Sequence, residues 1–147
     1  MGGQTDAHIA AVNLELKKLK DEITTMQTAD AAFDTLWTNM MKAYDGKPGG
    51  RSASMGYRDK LKTEAKKHDD ALEDSKTALK SAQQAVASFD TFVTQKDAST
   101  INPFKKKSIK KAKTFVEAAK AELHNMKLDG KSKMTESCYN IGLGIYY

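Results

Sequence analysis

Between Ile9 and Tyr44 the apolar residues Ile9, Val12, Leu16, Leu19, Ile23, Met26, Phe33, Trp37, Met40 and Tyr44 recur at steps of three and four. The repeat is interrupted once, at Asp30, where the next core residue is due. A period near 3.5 puts one apolar stripe along a helix and asks other helices to cover it. That requirement constrains the fold more than any other feature of the chain. No residue constellation announces a chemistry.

The spacing predicts helix one over 6–45, with Thr5 or Asp6 as its cap and Gly46, Pro48, Gly49 and Gly50 as its stop. About 40 residues at ~1.5 Å each make a rod of roughly 60 Å. Helix two is predicted over 54–96, on a seam of Leu61, Ala65, His68, Leu72, Ser75, Leu79, Ala82, Val86, Phe89 and Val93. A second row, Ala71, Ala78, Ala85 and Phe92, widens that stripe enough for two neighbours. Asn102-Pro103 opens helix three, predicted over 103–128 and ended by Gly130, with Ile109, Ala112, Val116, Ala119, Leu123 and Met126 as its seam. Short connections imply antiparallel neighbours. The expected fold is all-α and a single domain: an elongated antiparallel hairpin of two long helices, a shorter third helix packed on it, and an apolar C-terminal tail.

The layout is similar to that of the secreted helical-hairpin proteins of the WXG type. Trp37, however, is followed by Thr38 and Asn39 and lies inside helix one, so their signature is missing.

The tail, 131–147, holds Tyr139, Ile141, Leu143, Ile145, Tyr146 and Tyr147, with Gly142 and Gly144 between them. So apolar a segment is expected to dock rather than be solvated. Helix three is too short to cover the loop-proximal side chains Phe33, Leu36, Trp37, Met40 and Met41. These residues, with Tyr139, Ile141, Leu143, Ile145 and Tyr146, form the expected assembly interface. A homo-oligomer or larger assembly is the expected consequence.

Charge is unevenly placed within the net +5. Residues 1–50 carry −2, residues 51–100 carry +1, and residues 101–147 carry +6. Lys105, Lys106, Lys107, Lys110, Lys111 and Lys113 concentrate the excess at the start of helix three. Six ammonium groups there attract phosphate, whether on nucleic acid or on lipid, and Phe104 and Ile109 are placed to touch a membrane surface. Acidic residues such as Asp90 and Asp97 are expected to neutralise part of the cluster. It contains no arginine, so bidentate recognition is excluded and any nucleic-acid binding is expected to be non-specific.

Asp30 and His68 are polar residues on apolar seams, and an antiparallel register turning near residue 49 brings them level. They are expected to form a buried register pair, with Phe33 opposite Ala65 and Trp37 opposite Leu61. A packed seam offers no cleft for acid–base catalysis. None of His8, His68 and His124 has Glu three residues before it, so the di-iron bundle pattern is missing and no metal or cofactor is expected. Cys138 is the sole cysteine and has no His or Asp close by in sequence to activate it. With no apolar run long enough to span a bilayer and no secretory leader pattern, the chain is expected to be soluble, cytoplasmic or virion-associated. The function expected is structural: a non-enzymatic, coat- or scaffold-like subunit, with an electrostatic adaptor for nucleic acid or acidic membrane as the alternative.

Overall fold

The computed structural model describes residues 2–45, 48–128 and 132–134. Every element among them is helical: α1 Gly3–Tyr44, α2 Gly50–Met55, α3 Arg58–Ser99 and α4 Pro103–His124. The all-α class and the three principal helices agree with the apolar repeat. Helix one begins earlier than its expected cap, since the Asp6 amide already donates to the Gly2 carbonyl at 3.1 Å.

The expected loop between the long helices contains an additional helix, α2. Gly49 has φ +75°, a left-handed conformation open to glycine at little cost, and it turns the chain directly into α2. Gly50 must also be glycine, because an added Cβ would meet the carbonyl oxygens of Tyr44 and, at 2.9 Å, Ala43. α2 then ends at Gly56, and the Leu61 amide bonds back to Tyr57 O at 2.9 Å as α3 begins. At the far end α4 stops at His124, six residues short of Gly130. The Asn125 amide donates to Ala121 O at 3.1 Å and the Met126 amide to Leu123 O at 3.2 Å, so the last turn tightens before the glycine is reached.

The chain divides into two compact units, Met1–Lys20 with Ser75–Leu128 and Asp21–Asp74 with Asp129–Tyr147. In the first, three helices share one core. Val12, Leu16 and Leu19 come from α1, Ala82, Val86, Phe89 and Val93 from α3, and Ala112, Val116, Ala119 and Leu123 from α4. Bulk from α1 and Phe89 is thus set against alanines, which let the helices approach closely. The His8 ring stacks on Phe89 at 5.3 Å and tilts on Phe92 at 4.8 Å, while Phe115 meets Phe89 at 5.8 Å.

In the second unit Phe33, Met40, Leu61 and Ala65 form a buried cluster, with Leu36, Trp37, Tyr57 and Met134 packed against it. The expected neighbours Phe33, Ala65, Trp37 and Leu61 therefore share one cluster. The core position assigned to Asp30 belongs instead to Ala29, which is buried while Asp30 is only half-buried. Met26, Ala29, Phe33 and Met40 keep the three–four spacing, so the seam has no interruption.

Ser75 is fully buried and its Oγ has no hydrogen-bond partner among the described residues. A stranded hydroxyl costs about 1–3 kcal/mol, and alanine is also the better helix former. Ser75→Ala should therefore raise stability by about 1 kcal/mol or more, read as a Tm higher by about 2–4 °C. A lower Tm would show that the hydroxyl is satisfied in solution.

Candidate functional site

α4 opens with Asn102 as its cap, whose side chain accepts the Phe104 amide at 2.9 Å, and Pro103 in its first turn. Its buried face, Ala112, Val116, Ala119 and Leu123, fixes which residues look outward. All six candidate lysines, Lys105, Lys106, Lys107, Lys110, Lys111 and Lys113, are exposed. They do not act as one group. Lys106 Nζ lies 3.0 Å from Asp97 Oδ1 and Lys113 Nζ 2.5 Å from Asp97 Oδ2. One helical heptad further on, Lys120 Nζ meets Asp90 Oδ2 at 2.7 Å. Lys106, Lys113 and Lys120 thus form a seven-residue ladder that ties α4 to α3, using the two aspartates that the sequence offered as neutralisers.

Lys105, Lys107, Lys110 and Lys111 have no ion pair among the described residues. Two of them stand in the first turns of α4, where the helix dipole disfavours positive charge. Beside them the chain exposes two large apolar side chains, Ile101 at 94% and Phe104 at 86%. Ile109, by contrast, is half-buried and belongs to the helix packing. Ile101 precedes the helix and lies outside every apolar repeat, so helical spacing gave no signal for it.

A cleft of ≈ 560 Å³ opens next to Phe104, within the same unit. Phe92, Val93, Ile109 and Ala112 supply its apolar walls, and Lys96, Lys105, Thr5 and Ser108 its polar ones. It contains no His, Asp, Glu or Cys. Among the described residues no three or more such side chains come together to hold a metal ion.

Hydrogen bonds from Lys113 and then Lys106 hold the Asp97 carboxyl below its usual range. Its folded value lies under the unfolded one, so its contribution is complete above roughly pH 4 and fades only as pH falls through the lowered value. Both lysines stay engaged at neutral pH. Asp97→Ala should release them and tighten binding of the chain to a polyanion such as heparin. Unchanged heparin affinity would show that these two ammonium groups are already available.

The register pair is corrected by the structure. His68 is buried, but its Nδ1 lies 3.0 Å from Asp69 Oδ1 rather than being paired with Asp30. Asp30 Oδ1 instead receives Lys133 Nζ at 2.5 Å. Lys133 also lies 3.6 Å from Asp34 Oδ1 and 4.8 Å above the centre of the Phe33 ring. The charge partner thus comes from the segment after α4, which a two-helix register leaves out.

Asp69 holds that segment. Its carboxylate accepts the Lys133 amide at 2.6 Å, the Met134 amide at 2.9 Å and Ser132 Oγ at 2.8 Å. Burial alone would push its carboxyl up, but hydrogen bonds from His68, Met134, Ser132 and Lys133 outweigh this and hold it below the usual range. The clamp is therefore intact above roughly pH 4 and weakens as pH falls through the lowered value. Asp69→Ala should speed hydrogen exchange at the Lys133 and Met134 amides at neutral pH, as strong acid should in the unmutated chain. Protection unchanged by the substitution would remove the clamp. The remaining tail residues, including Tyr139, Ile141, Leu143, Ile145 and Tyr146, lie outside the described residues.

Of the loop-proximal interface candidates, Phe33 and Met40 are buried within the chain, Leu36 and Trp37 are half-buried, and only Met41 is exposed. Tyr57 and Met134 supply cover that two helices alone would lack. No helix among the described residues is long and apolar enough to cross a membrane. No protein-family model, curated protein or solved structure matches the chain.

Proposed function

We propose that this chain is a non-enzymatic, structural docking protein whose working surface is the lysine face of α4, and whose partner is a phosphate-bearing polyanionic surface. The observation that carries the reading is the division of the cluster. Lys106 and Lys113 are engaged with Asp97, while Lys105, Lys107, Lys110 and Lys111 have no ion pair among the described residues. A purely solvated face gains nothing from four uncompensated charges, two of them, Lys105 and Lys107, near the positive end of the helix dipole. A polyanion gains from each of them by releasing counterions. The lack of arginine makes the contact one of charge density rather than of shaped hydrogen bonding.

Self-association through the aromatic seam has less support. Phe33 and Met40 are already covered by their own chain.

Replacing Lys105, Lys107, Lys110 and Lys111 together with Gln should preserve the helical signal, since all four are exposed and have no ion pair among the described residues. Binding to mixed-sequence duplex DNA, used as a generic polyanion, should weaken. Its logarithmic salt slope should become shallower by about three to four. An unchanged slope would make the cluster an ordinary solvated face.

A further inference from the structure

We infer that the surface recognised by this lysine face is an anionic lipid bilayer, and that Ile101 and Phe104 enter its interfacial layer. The inference rests on the polyanion reading and goes further than charge. Ile101 and Phe104 flank Asn102-Pro103 at the corner between α3 and α4, and both are almost wholly solvent-exposed. They are the most exposed large apolar side chains among the described residues. Leu19 and Phe89 in the same unit are fully buried, and Leu14, exposed there too, is only 52% exposed.

The placement fits a membrane surface in three respects. Lys107 and Lys111 follow Phe104 by three and seven residues, so they share its helix face and stand around it as a cationic collar. Lysine stems extend along an apolar boundary while their ammonium groups remain among headgroups. Phe104 also forms an edge of the cleft whose walls include Phe92, Val93 and Ile109, so apolar surface continues inward from the exposed tip. Charge with an apolar anchor is the combination that holds peripheral proteins on acidic bilayers.

Other partners account for less of this. Nucleic acid rewards lysine and stacks on aromatic rings, but an aliphatic isoleucine has no π-face to offer a base. A second copy of the chain would bring two lysine clusters together. An anionic bilayer uses the lysines, Ile101 and Phe104 at once.

The test is co-sedimentation of the full chain with phosphatidylcholine vesicles, with and without about 30% phosphatidylserine, beside a titration with duplex DNA. The chain should bind the acidic vesicles and not the neutral ones. Ile101→Ser with Phe104→Ser removes only exposed side chains, so helicity by circular dichroism should persist. This double variant should lose at least about tenfold in vesicle partitioning and keep its DNA affinity. The four-lysine Gln variant should lose both. Undiminished vesicle binding by the double variant, or equal binding of the chain to neutral vesicles, would overturn the bilayer inference. DNA binding without vesicle binding would overturn it too and leave the polyanion reading standing. Binding to neither probe would end both.

Discussion

The broad stripe of small side chains on α3 is the constraint on which the first unit depends. Ala82 and Val86 are too small to be covered by one bulky neighbour without leaving voids, and Phe89 and Val93 continue their line. Leu16 and Leu19 from α1, with Val116 and Leu123 from α4, fill that surface together. Fully burying a side chain of this class contributes about 1.5–3 kcal/mol. Rotating α4 by even one residue would therefore cost several kcal/mol. That packing fixes the outward face of α4, and the lysine surface is a consequence of it. Charge pairs make no comparable contribution, because exposed Lys106, Lys113 and Lys120 reach half-buried aspartates through bonds open to water.

The repeat of three and four made the helices and most of their buried positions legible. Val12, Leu16, Leu61, Ala65, Phe89, Val93, Val116 and Leu123 lie where that spacing put them. Asp30 misled because a polar residue on a seam attracts attention and a neighbouring alanine does not. Ala29 fits the same spacing and carries no desolvation cost. α2 was hidden for another reason. Its glycines read as a loop, yet Gly49 supplies one left-handed residue and Gly50 one close approach, after which six residues are free to be helical. Lys133 was invisible as a partner of Asp30, since the two are 103 residues apart and no periodicity joins them.

The same contrast divides the candidate site. Clustered lysines are legible in any sequence, and the two aspartates that neutralise part of them lie at helical spacing on α3. Which lysines remain uncompensated depends on side-chain reach, and only the geometry separates Lys106 and Lys113 from the other four. For Ile101 the distinguishing fact is exposure. An isoleucine between helices is ordinarily tucked beneath the turn, so its type alone gives no indication that it projects into solvent.

In the second unit the short segment after α4 does what a further helix would otherwise have to do. Met134 adds apolar cover to the Phe33 cluster, and Lys133 places an ammonium group over the Phe33 ring while reaching Asp30 and Asp34. With only 17% of its side chain exposed, Lys133 would be costly to bury without those carboxylates. Asp69 in turn fixes the backbone that carries both residues. Lys133 and Met134 thus cover part of the aromatic seam from within the chain. That cover shifts the search for a partner to the start of α4, where Phe104, four lysines and Ile101 just before the helix are exposed.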